Sequence, residues 1–148
     1  MKTIVRKNYL NRIIELKDTP DIKIITGIRR SGKSKLMQAY IEYLKTNYDN
    51  INIIFIDFMD LKFEEIKEYH ALHSYVEQHY VAGKMNYLFV DEVQMCPKFE
   101  LAINSLYSKG KYDIYIAFYE LAYRLIKKNA LLTYITPTRF LNRDYGRE

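Results

Sequence analysis

The sequence predicts an α/β fold in which a parallel sheet of about five strands is flanked by helices. Three observations lead to this prediction: short apolar runs alternate with helical patterns, a glycine-containing segment follows the first run, and two carboxylates follow the third. The chain has 148 residues, 49% hydrophobic and 28% charged, which suits one globular domain and excludes a disordered chain.

The first half of the chain alternates helix and strand. Apolar residues recur at helical spacing in some segments, whereas β-branched and aromatic residues cluster in short runs in others. In chain order we predict a helix over 6–17, a strand over 22–25 that ends at Thr26 and Gly27, a helix over 33–46, a strand over 51–58 and a helical segment over 63–82.

The second half continues the alternation as far as residue 110. We predict a strand over 87–90, a helix over 99–107 closed by Gly110, a strand over 112–116, a helix over 118–128 and a last strand over 131–135. Residues 112–116 could instead open a helix, because Ile114, Phe118, Leu121 and Leu125 follow a helical stripe. The strand is the favoured interpretation.

Charge and cysteine content limit the class of protein. The net charge is +5, and residues 117–148 hold 6 of the 23 basic and 3 of the 18 acidic side chains. These charges are scattered, which favours a solvated surface, while contact with nucleic acid through the basic tail stays open. The single cysteine, Cys96, allows no disulfide within the chain and fits a cytoplasmic location. The N-terminus has no signal-peptide pattern, and no apolar run is long enough to cross a membrane.

Residues 27–34 read GIRRSGKS and match the pattern G-x-x-x-x-G-K-[ST]. Glycines allow a tight turn whose backbone N–H groups face phosphate oxygens, and the following helix adds its positive end. Lys33 supplies a charge to the β and γ phosphates, and the Ser34 hydroxyl is suited to Mg²⁺. The predicted nucleotide-binding residues are Gly27, Arg30, Ser31, Gly32, Lys33, Ser34 and Lys35.

The run YLFV over residues 87–90 leads into Asp91 and Glu92, the form of a Walker B strand. Asp91 is predicted to hold Mg²⁺ together with Ser34, and Glu92 to act as the general base that activates water. Lys33 and Glu92 are thus the predicted catalytic residues. We expect Ser34 and Asp91 to meet because both follow the carboxyl ends of parallel strands that lie next to each other.

The sequence predicts no catalytic or metal-binding role for two further aspartates, the histidines or the cysteine. Asp57 and Asp60 follow the second strand, where ordinary loop carboxylates are favoured over a contribution to the Mg²⁺ shell. His70, His73 and His79 share one polar helical segment without a completing acidic or cysteine ligand, so no metal site is predicted there. Cys96 is interpreted as a small buried or loop residue, not a nucleophile.

Three stretches, KIITGIRRSGKSKLM, INIIFIDFMD and YLFVDEVQMCPKFELAINSLY, together resemble a family of prokaryotic AAA+-like ATPases. Its members join an N-terminal AAA domain to a C-terminal domain of unknown function. The resemblance covers residues 1–116 and implies a P-loop NTPase fold that binds ATP and Mg²⁺, with ATP hydrolysis as the expected activity. By motif match it carries over Gly27, Gly32, Lys33, Ser34, Asp91 and Glu92.

The resemblance changes after residues 112–116. There the family has a polar run with a sensor Ser or Asn and then a Gly-Arg segment, whereas this chain continues with Ala117 and Phe118. The family's C-terminal domain has no counterpart either. Residues 112–148 are instead similar to a segment of adenine-specific DNA methylases of restriction–modification systems, without the N-P-P-Y motif. We therefore divide the chain into an ATP-binding core over 1–116 and a methylase-like tail over 117–148 that completes the sheet.

Three functions follow as hypotheses. The leading one is an ATP-binding, Mg²⁺-dependent protein of AAA+-like type whose hydrolysis is impaired by the missing sensor and arginine finger. The second is a DNA-associated fragment of a restriction–modification methylase system. The third is an inactive chimeric or truncated product joined near residues 112–116. A protein partner or self-association stays open in all three.

Overall fold

The computed structural model describes the backbone of residues 2–27, 32–119 and 132–135, and the side chains of 7–26 and 32–118. Within these ranges, helices and strands alternate as far as the fourth strand. The α-helices are α1 (Lys2–Glu15), α2 (Lys33–Asn47), α3 (Tyr69–Gln78) and α4 (Phe99–Ser108). The strands are β1 (Ile22–Gly27), β2 (Ile51–Asp57), β3 (Met85–Asp91), β4 (Tyr112–Tyr119) and β5 (Leu132–Ile135).

The five strands form one sheet in the order β2-β3-β4-β1-β5, and every pairing is parallel. The predicted α/β class with about five parallel strands is confirmed. β5 lies within the predicted segment 131–135 and pairs with β1, with Ile22 opposite Leu132 and Ile25 opposite Ile135. This strand completes the sheet on the side away from β4.

Two hydrophobic layers cover the faces of the sheet. On one face, apolar residues of β1 to β4 pack against α3 and α4, with Phe99, Ile103 and Leu106 fully buried. On the other face, α1 and α2 pack over an aromatic group in which the rings of Phe89 and Tyr115 stack with centroids 4.9 Å apart. Burial on both faces explains why the central strands read as continuous apolar runs.

Charged residues are nevertheless buried at the amino ends of β1 and β4. Nζ of Lys23 lies 2.6 Å from Oδ1 of Asp113 and donates at 2.7 Å to the carbonyl of Thr19. Oδ2 of Asp113 accepts from the Asp18 N–H and the Tyr115 hydroxyl, both at 2.9 Å. Burial raises the pKa of Asp113, while the Lys23 ammonium acts in the opposite direction. The pair therefore joins β1 to β4 through buried, hydrogen-bonded charges.

Three details differ from the predictions. The segment 63–82 is not one helix but a 3-10 helix, Leu61–Ile66, followed by α3. The two are separated at Glu68, whose carboxylate accepts from the N–H groups of His70 and Ala71 and caps α3.

The second difference concerns the end of β4. This strand continues to Tyr119, beyond the predicted end at 116, because pairing with β1 extends to Gly27 opposite Tyr119. Phe118 is buried in the strand, so the predicted helix over 118–128 does not begin there. The remainder of that predicted helix lies outside the described residues.

The third difference concerns neighbours in the sheet. β1 and β3 were expected side by side, yet β4 lies between them. The described helices include none that is long and apolar enough to cross a membrane.

The Lys23–Asp113 pair yields a stability prediction. Replacing Lys23→Met leaves the Asp113 carboxylate buried without its cation and should lower the free energy of unfolding by ~3–5 kcal/mol at neutral pH. Stability should recover as the pH falls, because an aspartate with a raised folded-state pKa contributes stability below that pKa and loses it as the pH rises through it. Urea unfolding at several pH values measures both effects.

The double variant Lys23→Met/Asp113→Asn is the control, because it removes both charges and keeps a carbonyl acceptor at position 113. It should be clearly more stable than the single variant at neutral pH. Equal losses in the two variants would show that the ion pair does not explain the effect.

Candidate functional site

The candidate site lies at the carboxyl edge of the sheet, where β1 leads toward α2. β1 ends at Gly27, and Gly32 precedes the first helical residue with φ +92°, a conformation that favours glycine. The Gly32 carbonyl accepts from the Leu36 N–H at 2.9 Å, so the helix begins directly after this turn. Arg30 and Ser31 of the predicted loop lie outside the described residues.

Four predicted residues come together at this edge. The Ser34 hydroxyl donates to Oδ2 of Asp91 at 2.6 Å, and Nζ of Lys33 lies 3.5 Å from Oε2 of Glu92. Lys33 and Asp91 are buried. Ser34 belongs to the first turn of α2 and reaches Asp91 across the end of β4. This explains why the contact forms although β1 and β3 are not neighbours.

The environment of Asp91 is unfavourable for a carboxylate without a cation. Burial raises its pKa, and the nearby carboxylates of Glu92 and Asp57 act in the same direction. The Ser34 hydrogen bond and the Lys33 ammonium partly oppose this effect. Oδ1 of Asp91 accepts from the N–H of Glu92 at 2.9 Å, which fixes the orientation of the carboxylate. A cation placed between Asp91 and Ser34 would relieve the unfavourable charge.

Asp57 lies at the end of a strand beside this centre and not in a loop. It is the last residue of β2 and pairs in register with Asp91 at the end of β3. Its Oδ1 accepts from the Met59 N–H at 3.0 Å. Asp60 instead caps the following 3-10 helix by accepting from the Lys62 N–H. Two strands that each end in aspartate were the sequence signal for the Asp57–Asp91 proximity.

Sequence reasoning also missed a contact of Glu92. Nε2 of Gln94 donates to Oε1 of Glu92 at 2.8 Å, while Lys33 faces the other carboxylate oxygen. The D-E-x-Q spacing contributed to the family resemblance, but the sequence alone predicted no function for the glutamine. Each carboxylate oxygen of Glu92, the predicted general base, therefore contacts one side chain, that of Gln94 or that of Lys33.

The other candidate residues have different surroundings. Lys35 is exposed on α2. His73 contacts Ser105 and Glu77, and His79 contacts the Tyr75 carbonyl, so these two histidines have separate partners. Cys96 is buried, and burial raises the pKa of its thiol to about 12, which makes the thiolate scarce at neutral pH.

The arrangement can bind a phosphate chain and a hard cation. Lys33 provides a positive charge at the start of a 15-residue helix, where the helix end also favours anions. Ser34 and Asp91 offer adjacent oxygen ligands of the type Mg²⁺ prefers. Glu92 supplies a carboxylate next to them that can accept a proton.

Known proteins share these features to different extents. A family described as restriction-modification methylase of the Eco57I type matches residues 89–148. An uncharacterized protein of Haemophilus influenzae is 31% identical over an alignment of 115 residues, and the match covers 76% of this chain and 29% of that protein. The chain thus spans less than a third of the length of this relative.

The fold has a counterpart among solved structures. The crystal structure of Cdc6p from Pyrobaculum aerophilum superposes with a TM-score of 0.57 at 11% identity, over 88% of this chain and 45% of that one. At this identity the similarity concerns the fold, and it supports a P-loop ATPase-like architecture. The family described as AAA domain matches residues 19–118, which include the phosphate-loop motif, Asp91 and Glu92. The chain therefore belongs to the AAA domain family.

Proposed function

We propose that the chain binds ATP together with Mg²⁺ at the carboxyl edge of the sheet and hydrolyses it slowly. The observation that carries the proposal is the 2.6 Å hydrogen bond between Ser34 and Asp91, which joins the end of the phosphate-loop motif to the acidic pair. These two residues fit Mg²⁺ because both offer oxygen atoms, and Asp91 is buried beside other carboxylates. Membership of the AAA domain family supports nucleotide binding.

Each residue has a role in this proposal. Lys33 binds the β and γ phosphates, and bound Mg²⁺ supplies positive charge to the phosphate oxygens. Glu92 takes a proton from the attacking water as the water oxygen bonds to the γ phosphorus and the bond to the ADP oxygen breaks. Gly27, Arg30, Ser31 and Gly32 belong to the phosphate-loop motif and are assigned to phosphate binding, and Lys35, on the first turn of α2, is assigned to nucleotide binding.

Slow hydrolysis is part of the proposal because of the residues at the end of β4. Ala117 and Phe118 pair in register with Ile25 and Thr26 next to the phosphate loop, and both are buried. They have no polar side-chain atom with which to read the γ phosphate, where the resembled family has a Ser or Asn. A single group that stabilises the transition state, such as an arginine finger, is worth ~10³–10⁵ in rate. The lack of a polar side chain at Ala117 and Phe118 should therefore make turnover slow.

A second candidate function rests on the methylase match over residues 89–148. In this alternative the chain is a DNA-associated part of a restriction–modification system that contacts phosphates through the basic tail. The match overlaps the AAA domain match over residues 89–118, so residues 112–118 of β4 belong to both. A third alternative is a chimeric product without activity.

The first prediction concerns nucleotide binding. Mg·ATP at 100 times its Kd should stabilise the chain by about 2.7 kcal/mol, seen as a higher Tm in a thermal-shift assay. Lys33→Ala should abolish this shift because it removes the charge that faces the phosphates. Lys45→Ala, an exposed lysine near the other end of α2, should keep the shift.

Absence of any shift in the wild-type chain would overturn the proposal. Unfolding without a cooperative transition would support the inactive chimeric product instead.

The second prediction concerns Asp91. Asp91→Asn should raise the Tm of the nucleotide-free chain at neutral pH, because the ionised carboxylate is unfavourable where its pKa is raised. The same variant should lose the stabilisation by Mg·ATP, because asparagine is a poor partner for Mg²⁺. Calorimetry with the exposed Asp49→Asn as control measures both effects, and a Tm below that of the control would contradict the interpretation.

The third prediction separates the methylase alternative from ATP binding. If the basic tail contacts DNA phosphates, the affinity for a fluorescent DNA duplex should fall steeply with salt concentration. The affinity for DNA should also be equal in Lys33→Ala and the wild-type chain, because this alternative places the DNA contact in the basic tail, whereas Lys33 is assigned to the phosphates of ATP. Fluorescence anisotropy at several salt concentrations tests this, and no binding at low salt would reject the alternative.

A further inference from the structure

We infer that Gln94 is a positioning residue that holds the carboxylate of Glu92 in place for ATP hydrolysis, an inference that rests on the function proposed above. Nε2 of Gln94 donates to Oε1 of Glu92 at 2.8 Å. The other carboxylate oxygen, Oε2, lies 3.5 Å from Nζ of Lys33. Gln94 thus makes the shorter of these two side-chain contacts of Glu92.

The orientation of the Gln94 amide follows from the chemistry of its partner. An ionised carboxylate only accepts hydrogen bonds, so the amide nitrogen and not the oxygen must face Glu92. The remaining atom, Oε1 of Gln94, is buried and accepts no hydrogen bond within the described part of the chain. Burial of an unpaired acceptor is unfavourable. Within the described residues, the contact with Glu92 is therefore the hydrogen bond that the Gln94 amide makes.

The backbone holds the two side chains in this relation. Glu92 adopts φ 53° and ψ 48°, a left-handed conformation that is uncommon for a residue with a side chain. Its N–H donates to Asp91, and its carbonyl accepts from the Met95 N–H at 3.0 Å. The 3-10 helix Val93–Met95 that carries Gln94 is anchored by the fully buried Val93. Gln94 therefore donates from a fixed position.

The two contacts of Glu92 differ in how they respond to a phosphate. In the proposed function Lys33 binds the β and γ phosphates, so its charge is shared with the nucleotide. Gln94 is neutral and lies on the same short segment as Glu92, so its hydrogen bond does not compete with the nucleotide. A base whose carboxylate is displaced by about 1 Å can lose on the order of 10²-fold in rate. Gln94 supplies the restraint that Lys33 cannot supply while it binds phosphate.

The test uses variants of the full chain. Gln94→Met keeps the length of the side chain and removes the donor, and Gln94→Glu replaces the donor with a second carboxylate. Gln78→Met, at the exposed end of α3, is the matched control. Affinity for Mg·ATP is measured by calorimetry. Hydrolysis is measured as single-turnover release of radioactive phosphate with enzyme in excess, which detects slow rates.

We expect Gln94→Met to lower the single-turnover rate by about 10-fold to 100-fold while the Kd for Mg·ATP changes less than about twofold. Gln94→Glu should be at least as slow, because its carboxylate repels Glu92. In a Glu92→Gln background, Gln94→Met should have no further effect, because the base that it positions is gone. A merely structural role would lower the rate in both backgrounds or weaken ATP binding.

Every other outcome overturns the inference. An unchanged or faster rate in Gln94→Met shows that Gln94 does not position the base, and so does an equal loss in the Glu92→Gln background. A wild-type chain that binds Mg·ATP but releases no phosphate also overturns it while leaving ATP binding intact. A wild-type chain that binds no Mg·ATP removes the proposed function itself, which calorimetry distinguishes from the other cases.

Discussion

The parallel pairing of β1, β4 and β3 is the constraint on which the candidate site depends. Ser34 follows β1 and Asp91 ends β3, yet β4 separates the two strands. Their 2.6 Å hydrogen bond therefore requires the registers of β1 on β4 and of β4 on β3 to be set together. A slip of one residue moves a strand end by ~3.3 Å and turns its side chains to the opposite face. A slip in either register would therefore separate the Ser34 hydroxyl from the Asp91 carboxylate.

The buried pair Lys23–Asp113 gives this register a physical basis at the opposite edge of the sheet. Apolar side chains on strands that are covered on both faces discriminate poorly between registers, because many shifted pairings bury similar area. A buried ammonium and carboxylate 2.6 Å apart do discriminate, because a shifted pairing leaves both charges unpaired in the interior. The polar contact at the amino ends of β1 and β4 thus supports the geometry at their carboxyl ends, where the segment with the phosphate-loop motif begins.

The sequence predicted those parts of the fold and site that depend on local pattern. The spacing from Gly27 to Ser34 and the run before Asp91 were sufficient to propose one site, because each residue type has a separate chemical reason. The order of strands was not predictable in the same way, since apolar runs carry no information about their neighbours. The proximity of Asp57 to Asp91 depends on that order. The contact between Gln94 and Glu92 depends on a left-handed turn at Glu92, which only the folded backbone makes visible.

The end of β4 shows how the fold and the chemistry of this family can be separated. A strand at this place needs only apolar side chains and backbone hydrogen bonds, so Ala117 and Phe118 extend the pairing with β1 as well as a polar segment would. Catalysis is more demanding, because the charge that develops on a phosphate is stabilised only by polar atoms at suitable distances. The same residues can therefore satisfy a family pattern for the sheet and still leave the site without a group that the reaction uses. In the proposed function, the orientation of Glu92 then depends on its immediate side-chain contacts, of which the contact with the Gln94 amide is the shorter.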